Sequence, residues 1–401
     1  VISLDEARAV VLAGCSRLPV VRVPLADALG LVTAESVTAA HDVPPFANTA
    51  MDGFAVRAAD TPGTLTVVGT LAAGAEPTLA VGDGEAIRIM TGAPIPPGAD
   101  AVVMVERTTM ADDGATVVIE AAASPGDHVR AAGEDVAAGA EVFPVGTVLR
   151  PGHLGVLASV GAIDVAAYRR PRVGVLSTGD ELVDDDRPLR PGQIRDANRH
   201  TLLALLHQAG YDAVDLGIAP DDESAIAAAF ERGLSSCDAL ITSGGVSVGD
   251  FDYVKVVLDK LSGGGDAMRW MQVAIKPAKP LAFGVIDGVP VFGLPGNPVS
   301  SMVSFELFAR PGLRQLAGHA EPVPSTVAAV AGEDLRRHAD GKVHFVRVVA
   351  SPDQGDGLRV RSSGGQASNL LRSMALANAL AVLPDGEGVA AGERVDILLL
   401  P

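Results

Sequence analysis

From Arg172 onward the sequence alternates short apolar runs with amphipathic helical stretches, and this alternation constrains the fold more than any other feature. RVGVLS reads as a buried strand, and ANRHTLLALLHQAG follows as a helix with Leu202, Leu205, Leu206 and Ala209 on one face and Gly210 as its stop. AVDLGI leads into a helix carrying Ile226, Phe230 and Leu234. DALITSGG leads into one carrying Val254, Val257, Leu258 and Leu261, and VPVFGLPGNP into a last helix through Val299 and Met302. Repeated units of this kind predict a doubly wound, mostly parallel sheet over residues 171–318, with right-handed crossovers and helices on both faces. Ligands of such sheets bind beyond the carboxyl ends of the strands.

Two unusual loops fall at those ends. ITSGGVSVGDFDY leaves a strand through Ser243, Gly244, Gly245, Ser247 and Gly249, and GLPGNPVSS leaves another through Pro295, Gly296 and Asn297. Glycines let backbone approach a ligand closely, and the amides of a helix start present partial positive charge to an anion. Pro298 at the first helical position with Asn297 as its cap would make the second terminus rigid. One such loop is an ordinary strand-to-helix turn. Two at one sheet edge favour a phosphate-bearing ligand.

Carboxylates gather in the same region. Asp180 and Glu181 end the first strand of the domain, and Asp221, Asp222, Asp250 and Asp252 fall at strand-to-helix junctions. Asp222 and Asp250 read as N-caps that complement the helix dipole. So many carboxylates around an anion pocket imply an intervening cation, and Mg²⁺ takes a few carboxylates together with phosphate oxygens. Only five lysines occur in the chain, and Lys276 and Lys279 stand together in IKPAKP just before a core strand. Lysines can simply guard a sheet edge, but this pair is concentrated against an acidic background and points to contact with an anionic ligand.

The flanking segments are different in kind. Ser3 and Glu6 form a capping-box pattern ahead of a helix through Leu4, Ala7, Val11 and Leu18. TLTVVG, AIRIM, AVVMVE and TVVIE alternate with turn formers and read as a β-rich unit over residues 41–136. Residues 1–40 and 137–170, the latter with a strand-like EVFPVGTVL and a short helix near Leu154, then read as two halves of a connecting domain that the β-rich unit interrupts. KVHFVRVVA, GLRVRS and RVDILLL make residues 319–401 a small β-barrel or sandwich. Turn formers account for Gly53 and Gly92, whereas Asp52 and Thr91 have no such explanation and are candidate site residues.

A net charge of −18 disfavours nucleic acid and anionic lipid as partners. Cys15 and Cys237 lie far apart without metal-ligand spacing and read as reduced, structural thiols. No run approaches the roughly 18 apolar residues of a membrane span and no signal-peptide pattern opens the chain. A cytoplasmic location is therefore expected. The first residue is Val1, not Met, so a short preceding segment is expected as well.

NTAMDGFAV, RIMTGAPIP, GEDV, STGDEL, GQIRDANRHTL, ITSGGVSVGDFDY, AIKPAKPLAFG and GLPGNPVSS, in that order across nearly the whole chain, resemble the molybdopterin molybdenumtransferases. The resemblance implies a multidomain α/β protein: a molybdopterin-binding type domain, a β-rich insertion, an elongated connecting domain and a C-terminal β-barrel-like domain. It further implies a homodimer with its active site near the dimer interface, where adenylylated molybdopterin and molybdate react with Mg²⁺ to give molybdenum cofactor and AMP. Transient contact with a molybdopterin adenylyltransferase is a further expectation of the resemblance.

Position by position, the resemblance points to Asp52, Thr91, Asp135, Glu181, Asp221, Asp252, Lys276, Lys279, Arg347 and Ser368. Glu181, Asp221 and Asp252 are the implied Mg²⁺ ligands. Ala367 stands where the family usually has Gly before the serine. Two other readings compete: adenylyl transfer to molybdopterin, and a non-catalytic scaffold of the same fold. The long flanking domains speak against the first and the intact set of acidic and lysine positions against the second.

Overall fold

In the computed structural model, which describes residues 1–245, 253–262, 267–353, 355 and 357–401, the chain is built around three six-stranded sheets, with small two-stranded pairings between them. Helix α1 (Leu4–Gly14) opens it, with both hydrogen bonds of the Ser3–Glu6 capping box formed. Its buried face, Ala7 and Val11, continues to Cys15 and joins the core formed by Val173, Phe283, Phe292 and Leu313. Strand Val20–Pro24 pairs antiparallel along its whole length with Asp164–Tyr168. Helix α2 (Pro151–Ser159) closes over a small core of Ala28, Leu149, Leu157 and Val165. The pairing of residues so far apart in sequence is the signature of a unit interrupted by an insertion.

The insertion is a six-stranded sheet ordered Ala101–Met104, Gly53–Val56, Glu85–Ile89, Gly63–Leu71, Thr116–Ile119, Thr108–Met110. Its central strand shows the period of two directly. Phe54 and Val56 enter one core with Leu65 and Ile119, and Ala55 enters the opposite one with Ile87 and Val102. Gly53 has a reason beyond turn formation, because a Cβ there would collide with the backbone of Val103 on the neighbouring strand.

The doubly wound sheet is as the alternation predicts. Asp212–Ala219, Arg172–Thr178, Ala239–Ser243 and Val289–Leu294 lie side by side and parallel. Helices α4 (Glu223–Ser236) and α5 (Tyr253–Leu261) cover one face through Ile226, Phe230, Val254 and Leu258. Helix α3 (Ala197–Gln208), with α1, covers the other. Pro280–Ile286 and Met268–Gln272 then extend the sheet antiparallel. These two reversals return the Gln272-to-Pro280 connection, with both lysines, to the edge where the parallel strands end.

Beyond Leu294 the chain forms α6 (Pro298–Ser304), a π-helical turn Phe305–Ala309 and α7 (Arg310–Leu316) without a break. The π turn has an identifiable cause. Pro311 has no N–H for the carbonyl of Leu307, and Arg8 Nε from α1 donates to that oxygen at 3.3 Å instead. The C-terminal segment is a closed five-stranded barrel: Val343–Pro352 pairs with Leu358–Ser362, followed by Val327–Ala331, Arg394–Leu399 and Ala379–Leu383, which returns to Val343–Pro352. Closure leaves no exposed sheet edge among these five strands.

Gly318 ends α7 at φ +82°, and a Cβ there would fall inside the ring of Tyr168 from the connecting unit. Gly318→Ala is expected to cost about 2–4 kcal/mol through left-handed strain and overpacking. Urea unfolding followed by the fluorescence of Trp270, the sole tryptophan, measures it. A wild-type midpoint would mean that the Tyr168 ring yields freely.

Candidate functional site

Four loops leave the carboxyl ends of the parallel strands. After Thr178 the chain turns at Gly179, φ +142°, so that Asp180 and Glu181 emerge at the surface. The Asp221 N–H donates to Asp180 Oδ1 at 3.1 Å, and the Asp180 N–H reaches back toward Asp221 Oδ2 at 3.5 Å. The two acidic turns are thereby tied together. Asp222 caps α4, accepting from the Ala225 N–H at 2.9 Å, in agreement with its reading as a cap.

The glycine loops touch. Gly244 and Gly245 adopt φ +96° and +66°, which only glycine takes without strain. The Gly244 N–H donates to Leu294 O at 3.1 Å. A Cβ added to Gly296 would stand 3.7 Å from Gly244 Cα, so the two bends are at van der Waals distance. Asn297 occupies the cap position of α6, but its side chain makes no capping hydrogen bond. The Val299 N–H is taken instead by the carbonyl of Ser368, at 3.2 Å, from the barrel. Expected contributors Ser247, Gly249 and Asp252, and the capping candidate Asp250, lie outside the described residues.

Alongside the second glycine loop a cleft of about 1160 Å³ runs between the α/β unit and the barrel. Lys276, Lys279, Pro295, Asn297, Ser300 and Ser368 line it on one side. Ile275–Lys276 pairs with Val343–His344 of the barrel, so a two-residue strand stitches the lysine turn to the second wall. Among the described residues neither Lys276 nor Lys279 has a carboxylate partner. Arg336, Arg337 and Lys342 add three cations to the lining against the two carboxylates Asp334 and Asp340. In an acidic chain this cleft is cationic, as anion capture requires. His344 on the same wall is held below the usual histidine range, chiefly by burial, with its Asp340 hydrogen bond opposing that shift.

Arg347 is fully buried and does not line the cleft. Its guanidinium donates to Gly365 O at 2.8 Å and Ala367 O at 3.2 Å, and burial pulls its pKa down. It therefore touches the site through the 365–368 loop that presents Ser368. Asp52 and Thr91 form a separate unit on the insertion: the Thr91 N–H and Oγ both donate to Asp52 Oδ1 at 2.7 Å. Asp135 is exposed in the strand-poor crossover from insertion to connecting unit, its N–H bonded to Val43 O at 2.9 Å. Asp52, Thr91 and Asp135 do not line the cleft of their own chain.

Sequence reasoning missed Asn198. Its Nδ2 donates to Ser243 Oγ and to Gly296 O, at 2.7 Å each, and so joins the two glycine loops. Its position in the first turn of a helix was the available signal, but a polar residue there has the pattern of any solvated helix start.

Mg²⁺ fits the donor chemistry in part. Glu181 and Asp221 offer hard, exposed carboxylate oxygens with no cationic partner among the described residues, as a shared metal–phosphate site would need. Among the described residues no three His, Cys, Asp or Glu side chains stand together as a metal cage.

Fold and site together define a class: multidomain α/β proteins with a cationic cleft between a doubly wound domain and a β-barrel. Residues 2–161 match the MoeA N-terminal region (domain I and II), 174–315 the probable molybdopterin binding domain and 328–400 the MoeA C-terminal region (domain IV). The chain belongs to the MoeA family, the molybdopterin molybdenumtransferases. The molybdopterin molybdenumtransferase of Haemophilus influenzae is 41% identical over 377 residues, covering 93% of this chain and 92% of that protein. Molybdopterin molybdenumtransferase 2 of Mycobacterium tuberculosis is 40% identical over 387 residues, 94% of each. The molybdopterin biosynthesis moeA protein of Pyrococcus horikoshii OT3 superposes with a TM-score of 0.82 at 29% identity, over 100% of both chains. No helix among the described residues is long and apolar enough to cross a membrane.

Asp52 supplies a local test. Its two Thr91 hydrogen bonds, backbone first and side chain second, hold its carboxyl below the ordinary range. A depressed carboxyl contributes stability that is present above about pH 4 and is lost as pH falls through the folded value. Thr91→Val keeps the backbone bond and removes the other, so the Asp52 midpoint should rise partway to its ordinary value in an NMR titration. An unchanged midpoint would show that the hydroxyl contributes nothing.

Proposed function

We propose that the chain inserts molybdenum from molybdate into adenylylated molybdopterin, releasing AMP and giving molybdenum cofactor. The observation that carries this reading is the cationic cleft in which Lys276 and Lys279, without a carboxylate partner among the described residues, share the lining with Pro295 and Asn297 of the second glycine loop, supported by the names of the relatives. Backbone amides around Gly244, Gly245 and Gly296, with Ser243, Ser247, Gly249, Pro295 and Asn297, receive the pterin and its phosphate. Lys276 and Lys279 neutralise molybdate or phosphate charge in a site partly shielded from water. Ser368, presented by the loop that Arg347 holds, offers a hydroxyl to the oxyanion.

Glu181 and Asp221, with Asp252, would hold Mg²⁺, whose chemistry there is to withdraw charge from phosphate oxygens. Asp52, Thr91 and Asp135 act from a second copy in a homodimer, which accounts for their absence from the cleft of their own chain. Adenylyl transfer is the weaker reading, because it leaves the insertion and the barrel, which forms one wall of the cleft, without a purpose. The protein works in the cytoplasm, where this cofactor precursor would be made.

Glu181→Ala should fold, bind the pterin nucleotide and lose molybdate-dependent AMP release by roughly 100-fold or more, the scale of removing a positioned charge-handling group. Turnover like the wild type in that variant removes Glu181 from the mechanism. Incubation of the wild type with ATP and molybdopterin, without molybdate, should release no pyrophosphate. Rapid release would replace the transferase reading with the adenylyltransferase one.

A further inference from the structure

The first turn of α3 is pinned from several sides. Its cap, Asp196, is 4% exposed and accepts from Ser177 Oγ at 3.1 Å, from the Arg199 N–H at 3.1 Å and from Arg199 Nε at 3.0 Å. Ser177 belongs to the strand that leads to Glu181, so the cap fixes the helix start to that strand. Arg199, 3% exposed, continues to Asp184 and Asp215, and His200 Nε2 stands 2.6 Å from Asp184 Oδ1. The loop after Glu181 is thus held by the same turn. A buried ion pair with its remaining donors satisfied resists displacement, because breaking it strands a charge.

Asn198 is carried by this fixed turn. Gly296 O can only accept, so the amide nitrogen, not the oxygen, faces the loops, and the two N–H groups go to Gly296 O and Ser243 Oγ. The fold does not require this side chain. The strands ending at Ser243 and Leu294 already pair in register, and α3 is anchored by the buried Leu202 and Leu206. What Asn198 adds is a rigid spacer between two bends rich in glycine, the residue that loses most freedom on ordering. A loop ordered before its ligand arrives binds at lower entropic cost.

We propose that Asn198 is a positioning residue that sets the spacing of the Gly244 and Gly296 loops and so the fit of the phosphate-bearing substrate. The inference rests on the reading above that these loops receive the pterin nucleotide. Loss of the spacer acts on binding before it acts on chemistry or on the fold.

Asn198→Ala and Asn198→Asp, which keeps the shape but replaces the donors with acceptors, are compared with the wild type. Calorimetry with AMP and Mg²⁺ and turnover of adenylylated molybdopterin with molybdate are the readouts. Both variants should raise the AMP Kd and the substrate KM by about tenfold, with kcat within about twofold and an unchanged melting temperature. Ser243→Ala removes one of the bonds without touching α3, and it keeps the test decisive if the Asn198 variants fold poorly. It should weaken AMP binding in the same direction, and the double variant Asn198→Ala/Ser243→Ala should be no weaker than Asn198→Ala alone. AMP affinity and KM unchanged in all variants would overturn the role of Asn198. A wild type that neither binds AMP nor turns over overturns the transferase reading instead.

Discussion

Four strands running in the same direction fix everything that follows in this molecule. Because Arg172–Thr178, Asp212–Ala219, Ala239–Ser243 and Val289–Leu294 are parallel, their carboxyl ends open onto one edge, and each crossover helix must begin there. Apolar residues on both faces pay for the arrangement: Val173, Val175 and Ile241 enter one core, Leu176 and Leu240 the other. The loops that leave the strands are left to the edge, where Gly244 and Gly296 meet and the Asp180 and Asp221 turns bind each other. A single antiparallel pair added to the sheet then carries Lys276 and Lys279 to the same edge.

The barrel completes what the sheet begins. Its strand Val343–Pro352 accepts Ile275–Lys276 alongside, places His344 next to Lys276 in register, and carries the buried Arg347. A buried guanidinium without a carboxylate is costly unless its donors are used. Arg347 uses one nitrogen on the carbonyls of Gly365 and Ala367, while Nε and Nη1 have no hydrogen-bond partner among the described residues. The loop it holds reaches across to α6 through Ser368 O and the Val299 N–H. The cleft is therefore a seam between the α/β unit and a barrel whose Phe345, Leu380 and Leu398 join the α/β core, and its cationic lining stands out because the chain as a whole is acidic.

Elements governed by local pattern were legible in the sequence. The strand-helix alternation, the capping box at Ser3, the stop at Gly210, the β-rich insertion and the β-type tail all appear where periodicity and turn chemistry put them. Features that depend on partners distant in sequence were not. EVFPVGTVL does not run as one strand: Glu141–Phe143 pairs with Val37–Thr38, a turn at Gly146 interrupts it, and Val148 makes a single bridge to Val32. Asn297 has the residue type of a cap, yet Ser368 from the barrel supplies the oxygen near that helix start. Arg347 resembles a surface anion ligand in sequence, and only the closure of the barrel makes it an interior support.

By itself the sequence determined the class of fold and the ligand chemistry: glycines that free the backbone, acidic turns at strand ends, and two lysines in a chain with few. Those properties are local, written within a dozen neighbouring residues. The tertiary structure decided which of these groups share a space. It brought Ser243, Gly296 and Asn198 into one hydrogen-bonded set, placed the lysines in one cleft with Pro295 and Asn297, and kept Asp52, Thr91 and Asp135 out of the cleft of their own chain. Such choices follow from strand order and barrel closure, which depend on contacts between residues far apart in sequence and leave no periodic trace in it.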